Sequence, residues 1–321
     1  MAEKARIAIL ISGAGTNMAA LLYASRLGDS AYEVVLVASN DPAAPGLALA
    51  ELEGVPTFAH AHKGMTREAH DAAMEAAVLE SGADHIVLAG YMRILSDGFV
   101  QRWQGRMLNI HPSLLPKYKG LDTFARAIAA GDRHAGASVH LVTPDLDSGE
   151  VLAQVRVAIA PGDTPASLAE RVRFAEHQIY SRAVAEYVSR WRNPGWLLER
   201  LRERALALPE TSEQESFGSV GFRVGEGKSG KYFAYFSDRP HGHERIALLV
   251  KTSGMDELHA LVEDQPETYF KPAFYGANGW VGLVLDRPDL DWADVDAWLQ
   301  RSWRTVAPKR LTRFMDVADE F

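Results

Sequence analysis

Two short runs, Ile7-Ala8-Ile9-Leu10-Ile11 and Ile86-Val87-Leu88-Ala89, are apolar at every position rather than at every second one. A strand with one wet face alternates; a strand without polar positions must be covered on both faces, usually by helices flanking a parallel sheet. The neighbouring sequence supplies that cover. Strand-like runs at Glu33–Ser39, Val55–His60, Met107–His111, Ser138–Thr143 and Val151–Ile159 alternate with helical spacing at Asn17–Leu27, Leu47–Glu53, Thr66–Ser81, Ser96–Trp103 and Phe124–Ala130. The expectation is an α/β fold with a doubly wound, mostly parallel sheet, whose ligands gather at the C-terminal ends of the strands. A long helix is predicted to open at Thr164-Pro165, a cap followed by proline at the first helical position.

The pattern changes after the turn-like cluster Asn193-Pro194-Gly195. Helical spacing at Trp196–Leu208 leads to strand-like runs at Phe217–Val224, Lys231–Phe236 and Arg245–Lys251. A helix (Met255–Glu263), a strand (Trp280–Leu285) and a closing helix (Asp291–Val306) follow. This reads as a second, small α+β domain, giving domains 1–191 and 192–321. A length of 321 residues suits two cores better than one. Composition, at 47% hydrophobic and 24% charged, excludes a mainly disordered chain. The absence of cysteine excludes disulfides and thiolate chemistry. No stretch of about 18 apolar residues suggests a membrane span, and a cytoplasmic protein is expected. The net charge of −8 leaves both halves acidic, so neither is a nucleic-acid binder by bulk charge.

Three motifs carry chemistry. Ser12-Gly13-Ala14-Gly15-Thr16-Asn17 joins the first apolar strand to a helix, so that glycines bring the backbone close to a ligand and free N–H groups favour an anion such as phosphate. Met18 stands where a dinucleotide fingerprint needs a small residue, and the P-loop lysine is missing. In Asn109-Ile110-His111-Pro112-Ser113-Leu114-Leu115-Pro116, Asn109 and His111 share one face of an extended strand. An imidazole that moves protons near neutral pH beside a carboxamide that can hold an oxyanion suits acyl transfer. Thr143-Pro144-Asp145-Leu146-Asp147-Ser148-Gly149 offers Asp145 or Asp147 as a carboxylate beside that histidine; spacing alone reads both as turn formers.

Together with Gly90-Tyr91-Met92-Arg93-Ile94-Leu95-Ser96, these segments make residues 5–190 resemble the glycinamide ribonucleotide formyltransferases, with the motifs in family order. The resemblance implies a Rossmann-like formyltransferase fold that passes the formyl group of 10-formyltetrahydrofolate to the amine of glycinamide ribonucleotide in purine (IMP) synthesis, with no metal. It implies Asn109, His111 and Asp147 as the catalytic trio, which selects Asp147 over Asp145. Gly15, Thr16 and Asn17 match the nucleotide's phosphate turn, with Arg173 and Glu176 near its phosphate and amine. Arg67, Met92, Arg93, Ile94, Leu95 and Asn109 match folate-binding positions. The chain departs from the family at Lys119-Gly120-Leu121-Asp122-Thr123-Phe124, where two histidines are replaced. Methionyl-tRNA formyltransferase and formyltetrahydrofolate deformylase share the Asn-x-His-Pro-Ser core and are the alternatives. The phosphate turn favours the nucleotide substrate, and no basic C-terminal domain is present to hold tRNA.

In the second half, Leu208-Pro209-Glu210, Lys231-Tyr232-Phe233-Ala234 and Ser302-Trp303-Arg304 resemble the MmcQ/YjbR family over residues 196–313. That family is sometimes called DNA-binding and has no established chemistry. A binding module, for nucleic acid or a partner, is therefore the alternative function from another class, and a homodimer is a further expectation. Arg301, Arg304, Lys309, Arg310 and Arg313 could meet phosphates, but Asp286, Asp289, Asp291, Asp294 and Asp296 lie just upstream and favour a solvated face. Gly227-Lys228-Ser229 reads as a hairpin turn, and the pairs His60/His62 and His241/His243 as surface histidines without a third metal ligand.

Overall fold

The computed structural model describes residues 4–216, 219–225, 230–239, 245–287 and 290–318. The chain divides into two compact units, Met1–Ser189 and Arg190–Phe321. Gly227-Lys228-Ser229 and His241/His243 lie outside the described residues.

The first unit is built on seven strands: β1 (Ala5–Ile11), β2 (Tyr32–Ser39), β3 (Thr57–Ala59), β4 (His85–Leu88), β5 (Met107–His111), β6 (His134–Leu141) and β7 (Val151–Ala158). Their order is β3-β2-β1-β4-β5-β6-β7. Pairings from β3 to β5 are parallel, and β5–β6 and β6–β7 are antiparallel. The unbroken apolar run of β1 has the predicted cause. Ile7, Ile9 and Ile11 enter one core cluster with residues of α1 (Thr16–Ser25), α2 (Pro45–Leu52) and α6 (Pro165–Val188). Ala8 and Leu10 enter the other, with α3 (Arg67–Glu80) and α4 (Asp97–Arg102). Thr164 and Ser167 form a reciprocal capping box at the start of α6, with Pro165 at the first position. The strand order reverses between β1 and β4. The loops leaving those two strands lie at their C-terminal ends, where ligands of such sheets bind.

The second unit carries six antiparallel strands in the order β12-β13-β11-β10-β9-β8. These are β8 (Thr211–Ser216), β9 (Ser219–Val224), β10 (Lys231–Asp238), β11 (Ile246–Lys251), β12 (Tyr269–Phe270) and β13 (Trp280–Val284). One face packs on α7 (Pro194–Ala205) and α9 (Trp292–Val306) around Phe222, Phe233, Leu248, Trp298 and Trp303. α8 (Met255–Asp264) and α10 (Lys309–Ala318) complete the unit. Three elements differ from the sequence reading. β8 has the sequence Thr-Ser-Glu-Gln-Glu-Ser; as an edge strand it gains its order from pairing with β9 and lacks apolar alternation. Neither the two-residue β12 nor α10 was expected. Asn193, read as part of a turn, caps α7 by accepting the Trp196 N–H, with Pro194 at the first turn.

Candidate functional site

The end of β5 holds the densest group of buried polar side chains in the first unit. His111 and Asp147 are both buried, with His111 Nδ1 3.4 Å from Asp147 Oδ2. The other ring nitrogen, Nε2, lies 2.9 Å from the Tyr118 carbonyl oxygen. Both ring nitrogens therefore face acceptors, an environment that a ring carrying two N–H groups satisfies completely. Asp147 reaches this place from the β6–β7 loop with φ 48°, a left-handed conformation that aspartate tolerates better than most side chains. The backbone N–H of Gly120 donates to its Oδ2 at 2.9 Å and holds the carboxylate in place. Asp145, its sequence rival, engages Thr143 through its own carbonyl.

His140 was missing from the sequence reading. It pairs with Asn109 across the β5–β6 ladder, a registration that no local pattern announces. Its Nδ1 lies 2.8 Å from the Leu141 carbonyl and its Nε2 lies 3.2 Å from Asn109 Nδ2. A carbonyl only accepts, so the proton sits on Nδ1, and Nε2 must accept from the carboxamide of Asn109. That bond orients Asn109 with its second N–H free for a ligand. Nε2 also lies 3.6 Å from Asp147 Oδ1. Burial pushes the His140 pKa below the ordinary imidazole value, with the Asp147 charge a smaller opposing influence. A histidine neutral when folded but protonated when unfolded makes the unfolded chain bind more protons, so stability falls as pH drops below about 6.5. His70 and His177 are shifted in the same direction, again chiefly by burial. Replacing His140 by glutamine removes one of these contributions. Unfolding midpoints of the variant measured from about pH 6.5 to 5 should vary less than those of the parent; equal slopes would contradict the assignment.

The phosphate turn lies at the C-terminal end of β1. Gly15 caps α1 with φ 70°, and a Cβ there would come within 3.0 Å of Met18 Cε and 3.2 Å of the Gly46 Cα. Conformation and space both demand glycine. No side chain caps α1 and its first turn has no acidic residue, so the N–H groups at Thr16 and Asn17 remain available to an anion. Asn17 Nδ2 donates to Glu176 Oε2 at 2.9 Å, tying the turn to α6. The Asn17 carboxamide oxygen is buried without a hydrogen-bond partner among the described residues. The Arg173 side chain is exposed and makes no hydrogen bond or ion pair among the described residues.

The loop after β4 is held at two points. Ser12 Oγ accepts the Met92 N–H at 2.8 Å, and Asp71 Oδ2 accepts the Ser96 N–H at 2.6 Å. Between them the backbone of Arg93, Ile94 and Leu95 makes no hydrogen bond among the described residues. Met92 and Ile94 are exposed and Leu95 is buried. Arg93 Nη2 reaches the Thr66 carbonyl at 3.4 Å, whereas Arg67, the first residue of α3, is exposed. A cavity of about 380 Å³ lies elsewhere, walled by Leu114, Phe124, Arg133 and Arg156, and none of the catalytic candidates lines it.

His60 and His62 come near His70, but no group of three side chains suited to a metal occurs among the described residues. In the second unit Arg301 pairs with Glu257 and Arg310 with Glu210. Part of the basic cluster is thus neutralised within the unit. No helix among the described residues is long and apolar enough to cross a membrane.

Comparison with known proteins gives these arrangements a context. A family model described as formyl transferase matches residues 5–184, and the YjbR model matches residues 206–305. The trifunctional purine biosynthetic protein adenosine-3 of Homo sapiens is 44% identical over 183 residues, which are 57% of this chain and 18% of that protein. This chain thus spans about a fifth of the length of such trifunctional relatives. Phosphoribosylglycinamide formyltransferase of Escherichia coli is 39% identical over 196 residues, 60% of this chain and 92% of that enzyme. The crystal structure of phosphoribosylglycinamide formyltransferase from Brucella melitensis superposes with a TM-score of 0.56 at 45% identity. It covers 58% of this chain and 96% of that one.

Proposed function

The chain belongs to the formyl transferase family, and on that premise we propose that its first unit transfers the formyl group of 10-formyltetrahydrofolate to the amine of glycinamide ribonucleotide, a cytoplasmic step of purine synthesis. The observation that carries this reading is the convergence of Asn109, His111 and Asp147 at the end of β5, in the unit that also holds an uncapped glycine turn. The nucleotide phosphate binds the N–H groups at Gly15, Thr16 and Asn17. Glu176, tethered to Asn17, and Arg173 are its further contacts along α6. For the folate, the unpaired backbone groups of Arg93–Leu95 offer donors and acceptors in one short stretch, the kind of edge that reads a planar heterocycle. Met92, Ile94 and Asn109 flank it, and Arg67 offers a charge to an anionic folate tail.

In the reaction, the nucleotide's amine nitrogen attacks the formyl carbon and the carbonyl π electrons move to oxygen. Asn109 donates its free N–H to that oxyanion. His111 donates through Nε2 after exchanging the Tyr118 carbonyl for the formyl oxygen, while Asp147 holds the imidazolium through Nδ1. Collapse of the intermediate breaks the bond to N10 of the folate. The amine loses one proton and N10 gains one, so the charges balance; no metal ion takes part in this sequence.

The reading is tested by folate release from 10-formyltetrahydrofolate on the full chain, with and without glycinamide ribonucleotide. Release that depends on the nucleotide is expected. Equal release without it would instead indicate a deformylase.

A further inference from the structure

Asp71 lies on α3, is 1% exposed, and belongs to none of the motifs that carry the reaction. Its Oδ2 takes the Ser96 N–H at 2.6 Å, and its Oδ1 makes no hydrogen bond among the described residues. Three further buried polar atoms nearby also make no hydrogen bond among the described residues: His70 Nδ1, the Tyr91 hydroxyl and Arg93 Nε. His70 Nδ1 is 3.7 Å from Asp71 Oδ1, and both Asp71 and Arg93 lie within electrostatic reach of Tyr91. Buried polar groups are usually hydrogen-bonded, and a cluster of four such atoms is of the kind that ordered water bridges.

This cluster adjoins the loop that carries Tyr91, Arg93 and Ser96, whose open backbone edge faces the folate in the reading above, on which the inference rests. We propose that Asp71 is a positioning residue for that edge: its carboxylate fixes the Ser96 end as Ser12 fixes the Met92 end, and internal water links it to Tyr91 and Arg93. Asp71 does not touch the folate. It sets the conformation in which Arg93, Ile94 and Leu95 present their N–H and C=O groups outward, so that less ordering is left to do on binding. Its loss therefore weakens folate binding and leaves the nucleotide turn, held by α1 and α6, as it was.

The test compares Asp71→Ala and Asp71→Asn with the parent full chain. Asparagine keeps an acceptor for the Ser96 N–H and loses the charge. For Asp71→Ala the expected result is a rise of about ten-fold or more in the folate KM, with kcat at saturating folate and the nucleotide KM changed less than about two-fold. Asp71→Asn should fall between it and the parent. A drop in kcat at unchanged folate KM, or equal rises in both KM values, overturns the proposal; the latter marks a merely structural brace. Calorimetric titration with tetrahydrofolate, which needs no turnover, separates the two readings. If the parent binds folate and Asp71→Ala binds it at least about ten-fold more weakly, the positioning role stands even where nucleotide-dependent transfer fails. Equal folate affinity of parent and variants, or no binding by the parent, overturns it.

Discussion

Replacing His111 by alanine should lower kcat by about 10²–10⁴-fold, the usual contribution of a positioned general acid or base. The size follows from the geometry. His111 is buried, and its two nitrogens face the Asp147 carboxylate and the Tyr118 carbonyl, so the ring is held in one orientation for proton transfer. Asp147→Asn keeps the shape and removes the charge that stabilises the imidazolium, so it should reproduce most of the loss. Steady-state kinetics at saturating substrates, with folding monitored by circular dichroism, checks both. Parent-like turnover in either variant would remove the assigned mechanism.

Asn109→Ala is expected to cost about 10²–10³-fold in kcat, with smaller changes in either KM, because the lost N–H serves an oxyanion present only in the transition state. The His140 contact makes a second, finer expectation. His140 holds the Asn109 carboxamide in the orientation that leaves one N–H free. In a double-mutant cycle, His140→Ala should therefore add little to the loss already caused by Asn109→Ala. Fully additive losses would mean that His140 acts independently of Asn109.

These residues differ in how far the sequence revealed them. Continuous apolarity in β1 forced a two-sided cover, and the structure divides Ile7, Ile9 and Ile11 from Ala8 and Leu10 between two helical layers. Asn109 and His111 were visible because alternation along one strand is local. Asp147 was not separable from Asp145 by spacing, since what distinguishes them is a left-handed backbone and the Gly120 N–H, both products of tertiary structure. His140 and Asp71 were invisible for a related reason. One acts through strand register, and the other through a contact between α3 and a loop 25 residues further along the chain. In the second unit β8 escaped detection because a polar edge strand carries no hydrophobic period.

The central claim is that the site at the end of β5 moves a formyl group from folate to the nucleotide's amine. Incubating the full chain and its His111→Ala variant with 10-formyltetrahydrofolate labelled at the formyl carbon, together with glycinamide ribonucleotide, and following the label by mass spectrometry tests it most directly. The account predicts that the label appears on the nucleotide's amine with the parent and is lowered by at least about 10²-fold in initial rate with the variant. Label released as free formate by the parent, or transferred equally fast by both proteins, would contradict it.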